Sequence, residues 1–204
     1  MEETVKKKTK FLTTKTIVKI AILSALATVI MALKVPLPFL PSFYKLEFSE
    51  IVVLIGGFAL GPAAAVIIEA IKVLLNFMID GTVTAGIGEL ANFLMGCSLV
   101  VPAALIYKRI KTKKGAIISC VIGFFSLIII SALLNYFLLI PAYANAFGMP
   151  IEAIIGMGTK LNGNIIDLKT LILFATVPLN IIKGLSSILI TIFIYKYISG
   201  LLKK

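Results

Sequence analysis

The sequence predicts an all-α, polytopic membrane protein with six transmembrane helices and both termini in the cytoplasm. Three observations carry that expectation. The chain is 60% apolar with a mean hydropathy of +1.10. It holds several runs of about 20 apolar residues, enough to cross roughly 30 Å of hydrocarbon. Its 20 lysines and arginines avoid those runs almost entirely. Six precede or open the first run (Lys6, Lys7, Lys8, Lys10, Lys15, Lys19), and five crowd one linker (Lys108, Arg109, Lys111, Lys113, Lys114). Three lie at the C-terminal end (Lys196, Lys203, Lys204) and four in other connections (Lys34, Lys45, Lys160, Lys169). Only Lys72 and Lys183 fall inside apolar spans. One integral membrane domain over residues 1–204 is therefore expected, with no soluble appendage, and because the run after Ile17 lacks a small-x-small cleavage site no cleavable leader is expected. The net charge of +11 sets orientation and meets anionic headgroups of the bilayer, and nucleic acid is not an expected partner. Cys97 and Cys120 lie within apolar runs, where a thiol packs as a small side chain.

The elements follow in order. Residues 17–33 form the first span. Residues 50–79 read as one long helix or as two short ones, 50–60 and 63–79, broken at Gly61-Pro62, where proline removes a donor and disfavours helix before it. Residues 87–106, 115–139 and 171–198 are the remaining spans. Charge decides the ambiguous case. A single crossing by 50–79 would put the basic linker 108–114 outside, whereas two crossings put it inside, where lysine and arginine accumulate. The second span is then only about 16 Å long at 1.5 Å per residue, and its neighbours must shield it.

The outer connections are the long ones. Residues 34–49 hold three prolines and are too proline-rich for helix, and residues 140–170 form a second outer segment with several glycines. Long, structured loops carry function, so the binding face is expected outside.

Catalysis finds little support. There is no histidine, and Asp80 and Asp167 are the only aspartates. Gly156-Met-Gly-Thr-Lys160 lacks the spacing of a phosphate-binding loop, and neither H-E-x-x-H nor G-x-S-x-G occurs. No metal or cofactor site is expected. An intramembrane phosphotransferase would need clustered aspartates for metal. A solitary ion-coupled transporter would favour internal repeats, and none is evident.

Polar residues inside spans remain. Asn180 and Lys183 share a helix face in the last span. A mid-span lysine costs several kcal/mol unless it meets a polar interior, so Lys183 serves either a structural ion pair or a ligand. Asn135 suits an interhelical hydrogen bond or a ligand contact. Glu69 and Lys72, three apart, are expected to neutralise each other. Glu89, near the start of the fourth span with Asn92, suits either the helix dipole or a ligand at the Gly- and Thr-rich turn before it. Ala21 and Ala25 form an A-x-x-x-A pattern that lets another helix pack closely.

The strings KLEFSEIVVLIGGFALGPAAAVIIEAIK, GTVTAGIGELANFLMG, LNYFLLIPAY with FGMP, and PLNIIKG carry a resemblance. From Lys15 to about Tyr195 the chain resembles the riboflavin-specific substrate-binding subunit (S-component) of energy-coupling factor (ECF) transporters. The resemblance implies a six-helix protein of the cell membrane that binds riboflavin from outside and is not an enzyme. It implies ligand contacts at Asn135, Asn180 and Lys183, and from the first loop at Lys45, Leu46, Glu47 and Phe48. The turn before helix four would add Thr84, Ala85 and Gly86. Ala21 and Ala25 would meet a membrane coupling subunit, which works with two ATPase subunits. Riboflavin is then the transported ligand, not a cofactor. The chemistry is compatible: an asparagine amide offers donor and acceptor to a uracil-like edge, and apolar residues can cover a flat ring. An S-component for another vitamin, such as thiamine or biotin, is the rival reading.

Overall fold

The computed structural model describes the backbone of residues 13–41 and 44–202, and the side chains of those residues other than 196 and 198–202. Lys6, Lys7, Lys8, Lys10, Lys203 and Lys204, on which part of the charge argument rests, lie outside the described residues, as does the side chain of Lys196.

Helix α1 (Thr14–Ala32) starts where the Thr13 hydroxyl accepts from the Thr16 amide at 3.3 Å, satisfying one of the free donors of the first turn. The proline-rich stretch after it stays extended. Val35–Pro36 (β1) pairs antiparallel with Lys45–Leu46 (β2), Val35 opposite Leu46 and Pro36 opposite Lys45. A two-residue ladder tolerates proline because few amide donors are needed there. Helix α2 (Glu50–Leu60) ends at Gly61, whose φ of +93° is open to glycine and strained for other residues, and Pro62 opens helix α3 (Pro62–Asp80), where its missing amide costs nothing. Helices α4 (Ile87–Arg109) and α5 (Lys113–Leu134) follow, the latter capped by the Thr112 hydroxyl accepting from the Gly115 amide at 3.0 Å.

The chain does not leave its helical path where the sequence suggests. After α5 it passes through a π-helical turn, Asn135–Leu139, into α6 (Ile140–Phe147). Gly148, with φ +59°, stops α6, and after Pro150 helix α7 (Ile151–Thr159) begins. The segment 140–170, expected to be an outer connection, is therefore largely helical. Ile140, Ala144 and Ile154 bury their side chains in one apolar cluster with Leu171 and Leu179, and that burial outweighs the local glycine content. A short helix α8 (Leu168–Leu171), capped by Asp167 and Thr170, leads through a second π-helical turn, Ile172–Thr176, into α9 (Val177–Leu202). Each π turn ends two residues before a proline, Pro141 and Pro178. A proline cannot donate to the carbonyl four residues earlier and its ring crowds that carbonyl; a widened turn relieves the conflict.

Among the described residues five helical stretches are long and apolar enough to cross a membrane: Thr14–Ala32, Pro62–Asp80, Ile87–Arg109, Lys113–Phe147 and Leu168–Tyr195. Helix α2, with 11 residues, is shorter. It sits centrally, against α1, α3, α4 and α9. Its residues Val52, Val53, Leu54 and Phe58 anchor the larger of two apolar cores, and the smaller core is built around α6, α7 and the start of α9.

Gly57 lets α2 approach α3 and α4 closely. A Cβ there would meet Ala104 Cβ at 3.1 Å, Ala65 Cβ at 3.2 Å and Val100 Cγ1 at 3.2 Å. Gly57→Leu is expected to destabilise the protein by about 1–3 kcal/mol through overpacking. Gly156→Ala, where an added Cβ meets nothing within 4 Å inside helix α7, should be neutral or slightly stabilising. Paired melting curves in detergent check both.

Candidate functional site

Four segments meet at one end of the bundle around a cavity of about 310 Å³. The first loop contributes Lys34, Tyr44, Lys45 and Glu47. The turn before α4 contributes Val83 and Thr84, and α4 itself Ile87, Gly88, Glu89, Ala91, Asn92 and Met95. Asn135, Leu139, Ile140, Tyr143 and Ile154 line the side built by α5 to α7, and α9 supplies Leu179, Asn180 and Lys183.

The two π turns pack against each other and position the two asparagines. Asn135 Nδ2 donates to the Ser131 carbonyl at 2.8 Å, and Asn180 Nδ2 donates to the Thr176 carbonyl at 2.9 Å. Both amides thus use one N–H to lock themselves against their own helix, four residues back. Each keeps a carbonyl oxygen and a second N–H to offer a ligand at the cavity wall. Tyr44 reinforces the same wall: its hydroxyl lies 2.6 Å from Thr176 Oγ1, and burial pushes its phenol up to about 12 despite that hydrogen bond.

The loop is held down at two points. Lys34 Nζ donates to Asn76 Oδ1 at 2.7 Å and to Asp80 Oδ2 at 2.9 Å, tying the exit of α1 to the end of α3. Glu47 Oε1 lies 2.6 Å from Lys183 Nζ, and Glu47 Oε2 accepts from the Ser49 amide at 2.7 Å. Burial by itself would raise the Glu47 pKa. The Lys183 ammonium, Lys72 behind it and the hydrogen bonds from Lys183 and Ser49 outweigh burial and hold the carboxyl down at about 2.

Beneath the cavity the ion pairs continue. Glu50 Oε1 lies 3.3 Å from Lys183 Nζ and 3.1 Å from Lys72 Nζ, and Lys72 Nζ lies 2.6 Å from Glu69 Oε1. All five groups are buried. Glu69 and Lys72, expected to neutralise each other alone, are therefore one end of a chain that runs through Glu50 to Lys183 and Glu47. Lys183 is ion-paired and also lines the cavity.

At the opposite rim, Glu89 Oε2 accepts from Thr82 Oγ1 at 3.0 Å and from Thr84 Oγ1 at 3.2 Å. These bonds hold the turn in which Ala85 (φ +51°) and Gly86 (φ +85°) take the left-handed conformation. Glu89 stands in the first turn of α4 and also faces the cavity, so its dipole and loop roles coexist.

Of the residues singled out in the sequence, the structure brings Lys45, Glu47, Thr84, Asn135, Asn180 and Lys183 to the cavity. Leu46 is buried, Phe48 half-buried, Ala85 exposed and Gly86 half-buried, and none of these four lines it. Tyr44, Asn92, Met95, Leu139, Tyr143 and Leu179 line it without having been singled out as site residues. Asn92 and Met95 lie three and six residues beyond Glu89 on α4, a helical spacing that marks the shared face. Ala21 and Ala25 lie elsewhere, on the exposed face of α1.

Comparison with known proteins places this geometry in context. The family described as the ECF transporter, substrate-specific component, matches residues 15–195. The chain is 33% identical over 190 residues to the riboflavin transporter RibU of Staphylococcus aureus (strain TCH60), covering 93% of each chain. It is 33% identical over 172 residues to the riboflavin transporter FmnP of Bacillus subtilis (strain 168), covering 84% of this chain and 85% of that one. A solved S component of a bacterial ECF transporter superimposes with a TM-score of 0.72 at 31% identity, covering 94% of this chain and 99% of that one.

The Glu47–Lys183 clasp has a defined pH window. Because the Glu47 pKa is depressed from 4.5 to about 2, its stabilisation is fully present above pH 4.5 and is lost as pH falls towards 2. The melting-temperature gap between wild type and Glu47→Gln is expected to be constant near neutrality and to close across that acid range. A gap that stays constant down to the lower limit would mean the carboxylate is not held by Lys183.

Proposed function

This chain belongs to the family of ECF transporter substrate-specific components, and from that premise we propose that it captures riboflavin at the outer face of the cell membrane for ATP-driven uptake. The observation that carries the reading is the cavity itself. Two helix-locked amides, Asn135 and Asn180, and one lysine, Lys183, face a space otherwise walled by Leu139, Ile140, Ile154, Leu179, Met95 and two tyrosines. A flat tricycle with a uracil-like edge fits such a wall. The edge takes donors and acceptors from the amides, Lys183 donates to a ring carbonyl or to ribityl hydroxyls, and the apolar side chains cover the ring. Lys45 and Thr84 stand at the rim, where the polar chain of the ligand would lie, and the buried Glu47 holds Lys183 at the wall; Leu46, Phe48, Ala85 and Gly86 shape the backbone that carries them.

The protein is a multi-pass membrane protein. In the proposed topology it crosses six times, with α2 as the short second span and with both termini in the cytoplasm. Support comes from the basic linker Lys108–Lys114 at the far end of α4 from the cavity. Lysine and arginine gather inside, which leaves the cavity facing outward. The whole of residues 1–204 then acts as one membrane domain.

Energy comes from partners: a membrane coupling subunit and two ATPase subunits. Ala21 and Ala25 are exposed on α1 between the exposed Ile17, Ile22, Leu26 and Val29. Their small side chains leave a shallow seat for a coupling helix, and close van der Waals packing drives helix association in lipid.

Purified protein is expected to bind riboflavin one to one and quench its fluorescence. Intact protein that quenches nothing at ligand excess would exclude riboflavin and leave another vitamin as the ligand. Asn180→Ala and Lys183→Ala, and Asn135→Ala with them, should each weaken binding by about 1–3 kcal/mol, because the ligand's polar partner is left unsatisfied.

Ala21→Trp or Ala25→Trp should abolish co-purification with the coupling subunit and abolish uptake, while riboflavin titrations stay at wild-type values. Simultaneous loss of binding would show that this face packs within the protein. Uptake by the lone chain in liposomes would refute the partner requirement.

A further inference from the structure

Lys183 and Glu47 line the cavity; Glu50, Lys72 and Glu69 do not. Yet one oxygen joins the two sets. Glu50 Oε1 is shared by two ammonium groups, Lys72 at 3.1 Å and Lys183 at 3.3 Å. Lys72 is itself anchored from the other side by Glu69 at 2.6 Å, and Lys183 by Glu47 at 2.6 Å. The side chains of Lys72, Glu50 and Glu69 are at most 1% exposed, so no water screens the competition. Each ammonium weakens the hold of Glu50 on the other. Were Lys72 neutral, Glu50 would keep Lys183 as its sole cation and draw it inward, off Glu47 and away from the cavity.

We propose that Lys72, on α3 and outside the cavity, is a positioning residue for ligand binding: by occupying Glu50 it leaves Lys183 on the cavity side. This rests on the reading that Lys183 contacts the ligand. Lys72 lies on a helix that supplies no side chain to the cavity wall. Glu69 completes the device. Its carboxylate sits where a Cβ on Gly96 would have to be, so the glycine of α4 makes the room in which Glu69 holds Lys72.

The test is the pair variant K72M/E69Q, which removes one ammonium and one carboxylate together, leaves the formal charge of the cluster unchanged, and nearly preserves volume. It is expected to fold and to bind riboflavin at least about tenfold more weakly than wild type. In a Lys183→Met background the same pair of changes should cost no further affinity, because the residue they act through is gone. A ligand-independent arm follows acetylation of Lys183 by acetic anhydride, read by mass spectrometry. Lys183 should react more slowly in K72M/E69Q than in wild type, as it withdraws towards Glu50. An affinity loss that persists in the Lys183→Met background overturns the proposal. So do unchanged affinity, an unchanged acetylation rate, and failure of K72M/E69Q to fold, which would make the pair purely structural. Wild-type protein that ignores riboflavin would sink the ligand assignment alone, and the acetylation comparison would still decide the positioning role.

Discussion

Two ammonium groups and three carboxylates, drawn from the first loop, α2, α3 and α9, meet in one buried cluster at the cavity, and the placement of those segments depends on their meeting. A lone charge there would cost several kcal/mol in desolvation, so each is tolerable only while its partners stay within ion-pair distance. Glu47 is fixed by Lys183, Lys183 by Glu47 and Glu50, Glu50 by Lys72, and Lys72 by Glu69. The chain of contacts makes the loop that covers the cavity, the short helix beneath it and the last helix parts of one electrostatic unit. Such an arrangement contributes geometry more than net stability, because the Coulomb attraction mainly offsets the burial it requires.

Helix α2 can hold Glu50 at that position because it does not need to reach across the bilayer unaided. Its residues from Glu50 to Phe58 are nearly all buried among longer helices, so most of its backbone finds protein around it in place of lipid. Small residues permit the enclosure. Gly57 lies against Ala104 and Ala65, and the turn at Gly61 sends the chain back at once into α3. Further along, the two π turns do comparable work at the cavity. They accommodate Pro141 and Pro178, and Asn135 and Asn180, locked to carbonyls of their own helices, both line the cavity beside them. Polar side chains of the ligand site are therefore placed by backbone irregularities and by ions, and the apolar cores on either side hold those irregularities in register.

Much of this was legible in the amino-acid order, for physical reasons that act locally. Hydropathy and charge placement identify a helical membrane protein because transfer into lipid is decided residue by residue. Gly61-Pro62 reveals the break between α2 and α3 because backbone sterics need no tertiary partner. Lys183, Asn180 and Asn135 stand out because a polar group inside an apolar run has to be explained by something, and Lys45, Glu47 and Thr84 followed from the strings around them. Where local rules mislead, tertiary burial is the cause. Segment 140–170 looks like a loop by its glycines and folds into helix because Ile140, Ala144 and Ile154 find a core. Leu46, Phe48, Ala85 and Gly86 sit next to cavity residues in sequence without lining the cavity themselves, since neighbours along an extended segment alternate in direction.

The sequence by itself determined the class of protein, the helical runs and the rare polar residues within them, because those depend on the free energy of each segment in lipid. Only the tertiary structure decided which charges pair. Glu69 and Lys72 are neighbours on one helix and satisfy each other on paper, while Glu47 and Glu50 look like ordinary residues at the start of a helix. Folding joins all four to Lys183 in one chain, Glu47 and Glu50 directly and Lys72 and Glu69 through Glu50, because a buried ammonium ion needs a carboxylate within reach, and reach across segments is a property of packing that no local pattern of residues encodes.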